Sequence, residues 1–165
     1  MPAVLPVPIE FRLPEGWFPA RPDAIDTSDI AFAAVLPAQD SNFTTNITIG
    51  GDVLPDAVSL AEVAGESVEG LRAVTDVSVV YVREVGTADT PGLTQKLTFT
   101  AAVNGIPEDL VQSQVYLVMS DTMDPRRRAV IRLVLTTTAA TFDEVLGDFQ
   151  DFIRSVRPDT KTGAA

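Results

Sequence analysis

Between Asp76 and Thr138 the hydrophobic pattern has a period of two almost without interruption. Asp76 to Val85, Leu93 to Val103, Leu110 to Ser120 and Ala129 to Thr138 each alternate, and turn residues separate them at Gly86 to Gly92, Asn104-Gly-Ile-Pro107 and Asp121 to Arg128. Four consecutive strands joined by short connections favour an antiparallel meander, because hairpins satisfy the pairing without crossovers. On the first strand Val77, Val79, Tyr81 and Val85 are read as one face. On the second, Leu93, Leu97, Phe99, Ala101 and Val103 oppose Thr94, Lys96, Thr98 and Thr100.

Two helices frame this meander. Ser59 and Glu62 have capping-box spacing, and Leu60, Val63, Ala64, Ser67, Leu71 and Val74 follow at helical intervals, which predicts a helix over 59–73. Gly65 and Gly70 weaken it by about 1 kcal/mol each relative to Ala, so tertiary packing must hold it down. Glu62, Glu66 and Glu69 form its solvated side. Thr141 and Glu144 repeat the capping-box spacing, and Phe142, Val145, Leu146, Phe149, Phe152, Ile153 and Val156 make an apolar stripe. Asp143 and Glu144 then lie near the positive end of the helix dipole, with Arg154 and Arg157 near the negative end. Pro158 stops this helix, and residues 159–165 are a short polar tail.

Upstream, Ile9, Phe11 and Leu13 alternate with charged residues and meet Pro14-Glu-Gly-Trp17, a strand running into a turn. Trp17 and Phe18 are read as core anchors. Arg21 to Asp29 is a polar loop. Ile30 to Leu36 and Asn42 to Gly50 are strands, closed by Gly50-Gly51-Asp52 and Pro55-Asp56. The order β, β, β, α, β, β, β, β, α predicts an α+β sandwich with an antiparallel sheet of six to seven strands covered by two main helices, all in one domain over residues 1–158.

The residues Ile9-Glu-Phe-Arg-Leu-Pro-Glu-Gly-Trp17, Asn42-Phe-Thr-Thr-Asn-Ile-Thr-Ile49, the capped helix from Ser59 and Phe149-Gln-Asp-Phe-Ile-Arg-Ser-Val-Arg157 form a recognisable series. It resembles the Mog1/PsbP-like superfamily, and within it the bacterial, actinobacterial LpqN-like and DcrB-like (DUF1795-type) small domains. The resemblance covers roughly residues 7–158 and implies a central antiparallel sheet between helices. It also implies roles in binding or assembly: a small-GTPase partner, a photosystem accessory subunit, envelope lipoproteins. These differ too much for fold analogy to transfer one of them. The chain departs from the envelope members in showing no signal peptide and no lipid-attachment Cys.

Composition narrows the chemistry. The chain has no Cys and no His, which excludes disulfides, a thiol nucleophile, a Ser-His-Asp triad, zinc-finger ligation and a His-ligated haem. Asp, Glu, Lys and Tyr remain available for acid and base work, so a hydrolytic enzyme without His or Cys is the least favoured reading. Gly50-Gly51 lacks the Lys-Ser/Thr sequel of a phosphate loop. Asp121 and Asp124 lack regular oxygen ligands and sit beside three Arg, against a calcium site. The sequence marks no catalytic, cofactor-binding or metal-binding residue.

Twenty-three acidic against twelve basic residues leave a net charge of −11, against nucleic acid or an anionic membrane as partner. The first 95 residues hold fourteen acidic and four basic side chains, the remainder nine and eight. Arg126, Arg127 and Arg128 form the one basic cluster, expected at a hairpin tip and assigned as a contact to an acidic partner or a second copy. Trp17, Phe18, Tyr81 and Tyr116, with Phe43 and Phe99, either fill the core or line a pocket between sheet and helix. Thr94, Thr98, Thr100, Gln112 and Gln114 make a weakly charged surface that suits self-association, and a homodimer stays open beside a monomer. The start carries Pro2, Pro6 and Pro8 and no basic run, and no apolar stretch reaches eighteen residues, so the expectation is a cytoplasmic protein without a membrane span. Asn42-Phe-Thr and Asn46-Ile-Thr are then chance sequons. The first-ranked function is a non-catalytic accessory or protein-binding module; the alternative is a small-molecule or lipid carrier.

Overall fold

A computed structural model describes residues 9–20, 31–37, 42–55, 57–86, 91–120 and 128–158. Its elements are β1 (Ile9–Glu10), β2 (Phe18–Ala20), β3 (Phe32–Leu36), β4 (Thr45–Val53), α1 (Leu60–Arg72), β5 (Val77–Gly86), β6 (Pro91–Val103), β7 (Ile106–Ser120), β8 (Arg128–Thr138), α2 (Phe142–Ser155) and β9 (Arg157–Pro158). Seven strands form one antiparallel sheet in the order β2-β3-β4-β8-β7-β6-β5. The meander from β5 to β8 is present, and β4 adds to its far side.

Register assigns the two faces. Ala129, Ile131, Leu133 and Leu135 of β8, with Val111, Val115 and Met119 of β7, pack against Phe142, Val145, Phe149 and Phe152 of α2. Leu93 of β6, Tyr116 of β7 and Val130 of β8 face the other way and pack with Ala64 of α1. The sheet therefore lies between the two helices as an α+β sandwich, with the larger core on the α2 side.

The helix limits follow from caps. Ser59 Oγ accepts from Glu62 N–H at 3.2 Å and starts α1. Thr141 precedes α2 but makes no side-chain cap; its hydroxyl instead meets Thr138 Oγ1 at 2.8 Å. Burial of four α2 side chains substitutes for that cap.

Several strand limits differ from the sequence reading. Only Ile9–Glu10 of the first segment is paired, and its partner is β9 rather than the main sheet. Arg157 and Glu10 form an ion pair across this two-strand clasp. α2 ends at Ser155, where Val156 turns to extended backbone, and Pro158 belongs to a strand. Phe11 packs edge-on to Phe32 and Phe152, with ring centroids 4.9 and 5.5 Å apart, so the segment's alternation records packing on α2. β4 runs on through Gly50-Gly51-Asp52, because each of them pairs with β8. The β6–β7 turn is Asn104-Gly105 alone, with φ of 52° and 79°, the left-handed values that a two-residue hairpin requires. Asn42 clasps this turn by donating through Nδ2 to Val103 O at 2.7 Å and accepting from Asn104 Nδ2 at 3.2 Å.

Candidate binding surface

β5 carries a bulge that divides its faces. Val77 pairs with Phe99 and Val79 with Leu97, but Tyr81 then pairs with Lys96, which leaves Val80 as the extra residue. Leu97 and Phe99 lie on the α1 face, while Lys96 lies on the α2 face with Nζ 4.4 Å from the Phe142 ring centre. Val77 and Val79 therefore face α1, whereas Tyr81 and Val85 face the α2 side. They do not share the single face that alternation assigns them. The signal was present as the adjacent pair Val79-Val80, a break in strict alternation.

β5 is also the last strand of the sheet, so among the described residues its outer backbone edge has no neighbouring strand. It is ten residues long and contains no Pro. Val79, Val80, Val82 and Val85 are 38%, 53%, 50% and 41% exposed. The opposite edge, β2, is three residues long and carries Pro19. A short strand with Pro is a blunted edge, whereas β5 presents a row of N–H and C=O groups that pair with no other described strand, flanked by apolar side chains. On this strand the Arg83 guanidinium lies 4.3 Å from the Tyr81 ring centre, a cation–π contact. Around this edge Glu62, Glu66, Glu69, Asp76 and Glu84 are exposed, against Arg72 and Arg83, and α1 packs over β5 and β6. Arg72 pairs with Glu69.

Beneath α1 the interface is polar. Gln95 Nε2 donates to Ala64 O at 3.1 Å and to Gln114 Oε1 at 2.7 Å, and Gln114 Nε2 donates to Gln112 Oε1 at 2.7 Å. The Tyr116 hydroxyl reaches Gln114 Oε1 at 2.6 Å and Ser67 Oγ at 2.8 Å. Burial raises the Tyr116 phenol above its ordinary value of 10.0, a shift opposed by hydrogen bonding to Ser67. Gln114 is thus buried and holds Gln95 and Tyr116, the two side chains that reach α1, and is not part of an open surface. Among the described residues no buried side-chain polar atom lacks a partner, and no three acidic side chains converge to hold a metal ion.

A cleft of about 540 Å³ opens between the start of α1, the β5 and β6 ends, and the start of β8. Leu54, Val58, Leu60, Leu93 and Val118 supply apolar lining, with Glu84 and Arg128 at its walls. Arg128 is half-buried in β8, where its carbonyl accepts from Leu54 N–H at 2.9 Å. It is therefore a strand residue, not part of a hairpin tip. Arg126 and Arg127 lie outside the described residues, as do the Arg21 to Asp29 loop and the polar tail.

The aromatic candidates are not brought together. Trp17 is buried towards α2, with Nε1 donating to Asp148 Oδ2 at 2.9 Å. Phe18 is 58% exposed on β2, at the other end of the sheet from Tyr81. Tyr116 is fully buried under α1. Phe99 is half-buried at a shallow groove with Asp76 and Asp109. Among the described residues no helix is long and apolar enough to cross a membrane.

No family model matches the sequence. No curated protein matches it either. Solved structures do match in shape. LpqN of Mycobacterium tuberculosis, described as involved in cell envelope biogenesis, is similar with a TM-score of 0.64 and 12% identity, over 94% of this chain and 87% of that one. CyanoP, the PsbP of Synechocystis sp. PCC 6803, gives 0.60 and 14%, over 92% and 86%. The Ran-binding protein Mog1p of Saccharomyces cerevisiae gives 0.55 and 15%, over 93% and 92%. The chain has the Mog1/PsbP-like fold.

Proposed function

We propose that this chain is a non-catalytic protein-binding module that takes an extended segment of a partner along the outer edge of β5. The observation that carries this reading is the ten-residue, proline-free edge with four exposed valines. A row of unpaired amides and carbonyls at strand spacing fits another strand, with hydrogen bonds giving affinity and alternate side chains giving selectivity. The acidic side chains around the edge favour a partner segment with Lys or Arg near its apolar residues. A second copy is disfavoured by its own charge of −11. A Ran-binding protein among the similar folds is a case of this architecture serving a protein partner.

The test is affinity capture from the native host with the wild type and the Val80→Lys/Val82→Lys variant side by side. Both positions are about half exposed, so the variant is expected to keep its melting temperature while losing a stoichiometric partner. A partner retained by the variant, or none captured at low salt, contradicts the reading.

A further inference from the structure

We propose a second, separate site: the cleft at the head of α1 binds a small amphipathic anion, an elongated apolar molecule with a carboxylate at one end. The floor is preformed, since Leu54, Leu93 and Val118 are buried in place at 5%, 3% and 6% exposure by the elements that carry them. Its volume of about 540 Å³ suits a small molecule. Val58 and Leu60 extend the apolar wall, so the body of the ligand is hydrocarbon.

Charge sets the head group. Arg128 lines the cleft, and it ends the Arg126-Arg127-Arg128 run, the one cluster of adjacent basic residues in a chain of charge −11. The Leu54 N–H to Arg128 carbonyl bond fixes the arginine's backbone beside the apolar floor. Such a cation at the end of an apolar cleft pairs with a carboxylate by charge-assisted hydrogen bonds. Glu84 lies on the opposite wall, and β5 and β8 are separated by three strand spacings, about 14 Å. The two charges therefore bracket the cleft. Glu84 repels the anionic head, which orients the ligand with that head at Arg128 and its other end towards β5.

The experiment is an amide-resolved NMR titration of the intact chain with decanoate, alongside decyltrimethylammonium, both kept below micelle formation. Saturable shifts are expected at Leu54, Ala61, Gly86 and Leu93 with decanoate, and weaker binding by about tenfold for the cationic probe. Arg128→Glu is expected to weaken decanoate by about tenfold or more. Ala61→Trp, at an exposed helical position on the rim, blocks the cleft and is expected to abolish the shifts with the fold intact. If Arg128→Glu does not fold, Ala61→Trp and the comparison of probes decide. Absence of saturable shifts, equal binding of the cation, shifts confined to the β5 valines, or wild-type binding by Ala61→Trp would each overturn the proposal. Absence of binding in the cleft leaves the β5 edge as a peptide site untouched, and shifts confined to the β5 valines would place the ligand there instead.

Discussion

Tyr116 and Ser67 meet across the interface between sheet and α1, their hydroxyl oxygens 2.8 Å apart. The Gln114 carboxamide oxygen beside them can only accept, so the tyrosine proton goes there and the serine supplies the proton of the Ser67 contact. Two polar side chains thereby hold a helix whose buried side chains are only Ala64 and Val68.

That arrangement makes stability depend on alkaline pH. Burial raises the phenol of Tyr116 above 10.0 in the folded chain, whereas an unfolded tyrosine ionises near its ordinary value. The stabilisation is complete below pH 10.0 and is lost as pH rises through the folded value, because only the unfolded state releases its proton. Tyr116→Phe is expected to cost about 1 kcal/mol at neutral pH and to flatten the alkaline loss. Urea unfolding followed by circular dichroism from neutral pH to about pH 11 measures both effects.

Trp17 ties the turn before β2 to α2 through Asp148, 131 positions away. Trp17→Ala is expected to lose about 3 kcal/mol or more, since a large buried ring leaves a cavity. Trp17→Phe retains most of the ring packing and frees an Asp148 that water can reach, so its expected cost is about 1 kcal/mol. Denaturant midpoints distinguish the two.

Gly70 and Gly105 give a pair with opposite signs. An added Cβ meets nothing within 4 Å at either position, so backbone conformation alone decides. Gly105 has φ of 79° in the β6–β7 turn, and Gly105→Ala is expected to cost about 1 kcal/mol or more. Gly70 is helical and exposed, and Gly70→Ala is expected to stabilise by up to about 1 kcal/mol. Thermal melts of both variants read the sign directly.

The helices and the meander were legible because caps and period act locally. Ser59 started α1 as its spacing with Glu62 indicates, and the α2 stripe buried Phe142, Val145, Phe149 and Phe152. Alternation records which side chains are buried rather than which backbones pair. That is why Ile9 to Leu13 read as a full strand, although most of it is an extended segment packed on α2. A single extra residue at Val80 reversed the faces of Tyr81 and Val85, an effect that only adjacent valines hinted at. Gln114 reads as surface from its polarity and is buried because Gln95, Gln112 and Tyr116 satisfy it. The candidate edge was illegible for a different reason. Which strand ends the sheet depends on β4 joining β8, a long-range choice that no local pattern encodes.

Amide hydrogen exchange over Val77–Gly86, with and without a bound partner segment selected from random displayed peptides, tests strand addition at β5. Strand addition predicts new protection at alternate amides of β5, in complexes that Val80→Lys/Val82→Lys prevents and that added salt weakens. Unchanged exchange in β5, with protection arising on another surface, would contradict it.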